Sequence, residues 1–166
     1  MTAELAEFVR ARHAALVRRG YLLTGDRAAA EDLVQEALAR TCAAARRRRV
    51  LDLEAYTRRV MTNLVISGHR RRRVPERATA DLDHLEVTVA EPEPDLHEEM
   101  WQVLQSLSPQ QRAVLVLRYY EDLSETEIAD ALDVSVGTVR QHAARGLRHL
   151  RALVTPPEEA PTHDRH

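Results

Sequence analysis

The sequence predicts an all-α protein, two small helical domains joined by a flexible acidic linker. Apolar residues recur at three- and four-residue steps in both halves of the chain. Ser and Asp residues stand immediately before those periodic runs, where a side-chain oxygen can accept from the free N–H groups of a first helical turn. Between the halves, residues 74–95 lose the periodicity and gain Pro75, Pro92, Pro94 and many acids. With 166 residues, 44% apolar but only 4% aromatic, the chain can fill one moderate core or two small ones from aliphatic side chains.

Residues 1–73 form the first predicted domain, with three or four helices broken at Thr24-Gly25-Asp26 and around Val50-Leu51-Asp52. Asp26 is placed to cap a helix that ends near Arg46, with Leu33, Val34, Ala37, Leu38 and Thr41 on its inward face. Asp52 is placed to cap the next. Leu51 and Tyr56 flank that cap at the spacing of a hydrophobic staple, and Val60, Met61 and Leu64 continue an inward stripe. Residues 96–154 form the second domain, four short helices with caps at Ser108, Ser124 and Ser135. Gln111 and Glu127 occupy the capping-box position after the first two, and Pro109 follows Ser108 at the first helical position. Residues 155–166, with Pro156, Pro157 and Pro161, read as a disordered tail.

The net charge of -2 conceals a strong segmentation. Residues 1–73 hold 16 Arg against 8 acids, residues 74–99 hold 1 against 9, and residues 100–166 hold 7 against 9. Within the last segment Arg140, Arg145, Arg148 and Arg151 form a basic face free of acids. Both halves therefore offer a contact for a polyanion.

The stretch from Leu123 to Gln141 has the apolar spacing of a helix-turn-helix. Ile128, Ala129, Leu132, Val134 and Val139 can form the packed angle between its helices, and Asp133 stands at the turn, where Asp tolerates left-handed backbone better than most residues. Beyond Ser135, Val139, Ala143, Gly146, Leu147 and Leu150 share one face. Gly137, Thr138, Arg140, Gln141, Ala144 and Arg145 share the other, which suits a DNA major groove. Arg can read guanine through two hydrogen bonds, Gln can read adenine, and Ala144 can touch a thymine methyl; Arg145 and Arg148 are better placed for phosphates. The competing reading is a solvated amphipathic helix.

Other chemistry finds little support. A single cysteine, Cys42, excludes an intrachain disulfide, fits a reducing compartment and reads as a small core residue. No apolar run is long enough to cross a membrane, so no membrane insertion is expected and the chain reads as cytoplasmic and nucleoid-associated. His142 and His149 are seven apart, and His163 and His166 lie in the tail, without carboxylate or Cys ligands at metal spacing. No phosphate-binding glycine loop, nucleophile elbow or catalytic dyad is present. No cofactor, metal or enzymatic activity is expected.

One combination is recognisable. Ala30-Glu31-Asp32-Leu33-Val34-Gln35-Glu36-Ala37-Leu38 is followed by Glu54-Ala55-Tyr56-Thr57-Arg58-Arg59-Val60-Met61-Thr62-Asn63 and the Arg-rich run Arg70–Arg73. The acidic linker then leads to Leu117-Arg118-Tyr119-Tyr120-Glu121-Asp122-Leu123-Ser124 and the helix-turn-helix. Over about residues 5 to 153 this order resembles the extracytoplasmic-function (group IV) RNA polymerase sigma factors, in particular the actinobacterial SigE-like family.

The resemblance implies that residues 1–73 are sigma region 2, which binds the clamp helices of core RNA polymerase and opens the -10 element. It implies that residues 96–154 are region 4, which contacts the polymerase flap and reads the -35 element. Asp32, Leu33, Gln35 and Glu36 become the polymerase-facing patch, although by themselves Asp32 and Glu36 read as an ordinary solvated helix face. Asn63 to His69 become the pocket for a flipped non-template base, with Arg70, Arg71, Arg72 and Arg73 on the surrounding phosphates. Arg118, Thr138, Arg140, Gln141, Ala144, Arg145 and Arg148 become the contacts to the -35 duplex. A separate anti-sigma factor is implied as a further partner.

Two departures stand out. No Phe, Trp or Tyr lies between Tyr56 and Trp101, so His69 is the only flat stacking partner in the melting segment, and Ala37 and Leu38 replace the Thr and Phe frequent in the family. The alternative function is a stand-alone helix-turn-helix regulator whose N-terminal bundle dimerises or senses a signal. Core polymerase binding through Asp32 and Gln35 separates the two.

Overall fold

The computed structural model describes residues 2–71 and 98–155; the predicted linker and most of the predicted tail lie outside the described residues. The first half contributes α1 (Ala3–Thr24), α2 (Arg27–Arg46) and α3 (Leu53–Arg71). The second contributes α4 (Glu98–Gln105), α5 (Pro109–Leu115), a π-helical turn (Val116–Tyr120), α6 (Glu125–Leu132) and α7 (Val136–Val154).

The helix boundaries follow from local chemistry. Asp26 accepts from the Ala29 N–H at 2.9 Å, and Asp52 from the Ala55 N–H at 3.0 Å. Ser108 with Gln111, and Ser124 with Glu127, close complete capping boxes. Gly25 ends α1 at φ 87°, a conformation that costs glycine nothing, and its N–H reaches the Tyr21 carbonyl. Leu51 departs from expectation. It is 107% exposed and packs no staple, because the preceding turn, with Arg48 at φ 53°, turns it into solvent and leaves Asp52 alone to start α3.

α1, α2 and α3 pack around Val9, Leu16, Val17, Val34, Ala37 and Met61. Gly20 permits the closest approach: a Cβ there would lie 3.2 Å from the Ala30 carbonyl oxygen and 3.3 Å from the Ala30 Cβ, so α1 and α2 meet backbone against backbone. In the second half Val114, Leu117, Ile128 and Val139 are fully buried at the centre of a second cluster. A Cβ on Gly146 would come within 2.9 Å of Leu115 Cδ1, which shows how tightly α7 lies on α5.

The two halves pack against each other. Leu22 and Leu23 of α1 belong to the second cluster, and Val65 and Ile66 of α3 lean on it. Burying each of those leucines contributes roughly 1.5–3 kcal/mol, so apolar contact is the main attraction across the joint.

Beside it lies a cluster of charges centred on a buried arginine. Arg19, 1% exposed, donates from Nε and Nη2 to Glu121, the residue after the π-helical turn, and from Nη2 to Glu54 Oε1 at 2.7 Å. Arg12 holds the other Glu54 oxygen at 2.8 Å, and Arg58 approaches Glu121 at 3.5 Å. Arg19 thus ties α1 to α3 and to the second half. Burial alone would raise the Glu54 carboxyl, but hydrogen bonds from Arg12 and Arg19 overcome it and hold the group at about 2, below its ordinary 4.5. The stability that Glu54 contributes is therefore complete above pH 4.5 and is lost as the pH falls toward 2. We expect the stability gap between the wild type and Glu54→Gln to narrow steadily from about pH 5 to about pH 3, as urea midpoints would record. A constant gap would mean that the carboxylate is unpaired in solution.

Arg112 makes the second polar tie. It is 8% exposed, and its guanidinium donates to the carbonyls of Leu104 (2.9 Å), Leu107 (3.0 Å), Gln105 (3.3 Å) and, across the joint, Leu23 (2.9 Å). It closes the ends of α4 and α1 together.

Candidate nucleic-acid and polymerase interfaces

α6 and α7 meet through the turn Asp133-Val134-Ser135. Asp133 takes φ 54°, ψ 49°, the left-handed conformation expected of it, and ends α6. Val134 does not join the packed angle. It is 37% exposed, because the left-handed residue before it reverses the chain and points it outward, while Ile128, Ala129, Leu132 and Val139 fill the angle. Ser135 caps α7 by accepting from the Thr138 N–H at 3.1 Å.

α7 then divides as its spacing requires. Val139, Ala143 and Gly146 are buried, while Gly137, Arg140, Gln141, Ala144, Arg145 and Arg148 are exposed along the opposite face. Thr138 differs from these, since it is half-buried and its hydroxyl lies 2.9 Å from Ser135 Oγ, occupied by the cap. Arg118 comes from the π-helical turn, and its guanidinium carbon lies 5.8 Å from the centre of the Tyr119 ring.

Arg118 and Arg140 converge on one carboxylate. Glu125, in the first turn of α6, receives Arg140 Nε on Oε2 at 2.7 Å and Arg118 Nη1 on Oε1 at 3.2 Å. The Arg140 hydrogen bond, followed by its charge and the Arg118 contact, holds the Glu125 carboxyl below the usual carboxylate range.

On α2, Asp32 and Gln35 are exposed, and Glu36 is half-buried and paired with Arg40 at 2.7 Å. Leu33 faces the other way. It is 9% exposed and packs into the first core, so it supports the patch rather than projecting from it. Asp32, Leu33 and Glu36 also line one wall of a groove of about 700 Å³, and Gln105 to Pro109 of the second half form the facing wall.

Asn63 is exposed on α3. His69, Arg70 and Arg71 lie on the last turn of that helix, with side chains outside what is described, and Arg72 and Arg73 lie outside the described residues. The structure thus brings Arg118 and Arg140 together and aligns Gln141, Ala144, Arg145 and Arg148 beside them.

Family comparison addresses both halves. Residues 8–74 match Sigma-70 region 2, and residues 97–150 match Sigma-70, region 4. The RNA polymerase sigma-E factor of Streptomyces coelicolor is 38% identical over 151 residues, covering 89% of this chain and 84% of that protein. The ECF RNA polymerase sigma factor SigE of Mycolicibacterium smegmatis is 33% identical, over 87% of this chain and 59% of that protein. This chain belongs to the extracytoplasmic-function sigma factors.

The sigma factor carries regions 2 and 4 in that order and is homologous to proteins that direct promoter-specific transcription. Its fold is shared with the sigma factor RpoE of Bartonella quintana, solved in complex with the anti-sigma factor NepR. That match has a TM-score of 0.68 at 20% identity, over 92% of this chain and 97% of that one. It also matches the PhyRSL–NepR complex from Sphingomonas sp. Fr1, with a TM-score of 0.62 at 20% identity.

Sequence reasoning missed Glu125 and Arg19. An acid in a first helical turn ordinarily reads as a partner of the helix dipole, which hides the Arg pair that Glu125 serves. Arg19 carried a readable signal: it stands three residues after Leu16 and four before Leu23, on the apolar stripe of α1.

Proposed function

We propose that this sigma factor binds core RNA polymerase through the α2 face and the promoter through two separate surfaces. Asp32, Gln35 and Glu36 present acidic and amide groups to basic residues of the clamp helices, with Leu33 fixing the helix beneath them. Asn63 and the arginine-rich end of α3 engage the non-template strand of the -10 element. Arg140, Gln141 and Ala144 read base edges of the -35 duplex, and Arg118, Arg145 and Arg148 hold its phosphates. Residues 1–73 serve as the region 2 unit, residues 96–154 as region 4, and residues 74–95 as the acidic connector.

The observation that carries this reading is the exposed face of α7, where Arg140, Gln141, Ala144, Arg145 and Arg148 stand in a row opposite buried Val139, Ala143 and Gly146. An apolar groove of about 240 Å³ between Leu104, Leu115, Tyr119 and Leu150 supports flap docking on the same half. A separate anti-sigma factor is the expected regulator, as the NepR complex of the Bartonella protein suggests.

The test is co-elution of the purified chain with core polymerase, beside an Asp32→Ala, Gln35→Ala double variant. Both residues are exposed, so the variant keeps its fold. The wild type should co-elute and the variant should not. A folded wild type that ignores core polymerase sinks the proposal in favour of a stand-alone regulator.

A further inference from the structure

We propose that Glu125 is a specificity-determining positioning residue, which sets Arg140 to read a base instead of gripping a phosphate. The proposal rests on the assignment of α7 to the -35 duplex.

Three elements meet at this carboxylate: the π-helical turn supplies Arg118, α6 supplies Glu125 itself, and α7 supplies Arg140. Each oxygen takes one guanidinium, Oε2 from Arg140 Nε at 2.7 Å and Oε1 from Arg118 Nη1 at 3.2 Å. The Arg140 side chain is 68% exposed and, without a partner, would move among many rotamers. Glu125 is 28% exposed and lies against two neighbouring elements, so it is the more fixed member of the pair.

The choice of nitrogen matters. An arginine can approach guanine O6 and N7 either with Nε and one Nη or with its two Nη groups. With Nε given to Glu125, the Nη pair remains as the free fork. The carboxylate also changes the local charge. Two guanidinium groups sharing one carboxylate carry a net charge of one, which weakens the pull of any phosphate on Arg140 while leaving its geometric match to a base edge intact. An orientation fixed before binding costs less entropy at the moment of contact.

An ordinary stabilising role in the first turn of α6 makes a different prediction. Such a residue would alter stability and leave sequence preference alone.

The experiment uses the full chain assembled with core polymerase. A library of randomised duplexes is selected with the wild type, and every single-base-pair variant of the selected -35 sequence is then assayed with the wild type, Arg140→Ala, Glu125→Gln and Glu125→Ala. Arg140→Ala should lose about tenfold discrimination at one base pair. Glu125→Gln and Glu125→Ala should lose much of the same discrimination at the same base pair, while binding to unrelated duplex becomes tighter and its salt dependence steeper by about one phosphate contact. If Arg140→Ala relaxes one position and both Glu125 variants keep wild-type discrimination there, the positioning role is wrong and the groove assignment stands. If Arg140→Ala changes no position, the groove assignment itself fails and the role of Glu125 falls with it.

Discussion

Arg19→Ala should cost about 3–5 kcal/mol of folding stability, the largest effect expected from any single substitution in this chain. Arg19 is 1% exposed, and it supplies three of the hydrogen bonds that neutralise Glu121 and Glu54. Its removal leaves Glu121 with only the 3.5 Å approach of Arg58, while Glu54 keeps Arg12. The penalty arises because a carboxylate stripped of its partner stays in a place water reaches poorly. Removing the charges together should be far milder, since a buried ion cluster contributes little net stability over well-packed neutral groups. We therefore expect Arg19→Met combined with Glu54→Gln and Glu121→Gln to recover most of the loss in urea denaturation. Equal destabilisation by Arg19→Met alone and by the triple variant would mean that the unpaired carboxylates do not explain the effect.

Arg112→Met should cost on the order of 3 kcal/mol, for a different reason. No acid pairs with Arg112 in the hydrogen bonds described; burial lowers its pKa, and its charge is answered by four backbone carbonyls. Three of these come from the end of α4 and the turn after it: Leu104, whose carbonyl also takes the Leu107 N–H at 3.2 Å, Gln105 and Leu107. Methionine fills the space but donates nothing. Arg112→Lys should fall between, because a single ammonium offers three donors from one point and cannot span carbonyls arranged around a planar fork. Thermal unfolding of the three proteins should rank them Arg, Lys, Met. If Lys and Met melt together, the fan of carbonyls is not what Arg112 stabilises.

These two arginines also mark where sequence reading stops. Asp26, Asp52, Ser108, Ser124 and Ser135 could each be identified as caps because a cap bonds within three residues of itself, so the information is local. The buried face of α7 was legible for the same reason, from Val139, Ala143 and Gly146 at helical spacing. Arg19 and Arg112 depend on partners up to 102 residues away in the chain; the place of Arg19 on the apolar stripe of α1 signals burial, but nothing local names the partners of either. Leu51 and Val134 show the converse limit. Both fit a spacing rule, yet each follows a turn containing a left-handed residue, Arg48 or Asp133, and the turn decides where the side chain points. Of the candidate site, the residue types and their order were readable, whereas the sharing of Glu125 by Arg118 and Arg140 required the fold.

Under the proposed function, the groove between α2 and the Gln105–Pro109 corner gives the joint a thermodynamic role. Asp32, Leu33 and Glu36 share that groove with the second half of the chain, so a helix laid along α2 competes for space with the corner. Under the proposed function, the work of separating the halves is subtracted from the affinity for polymerase, and each 1.4 kcal/mol of it weakens apparent binding about tenfold. Substitutions at Leu22 or Leu23 that loosen the joint without unfolding either half would then act as gain-of-affinity changes, located on a helix that itself contributes none of the proposed contact residues. Under that reading, stability and partner affinity are opposing quantities, set by the same few side chains.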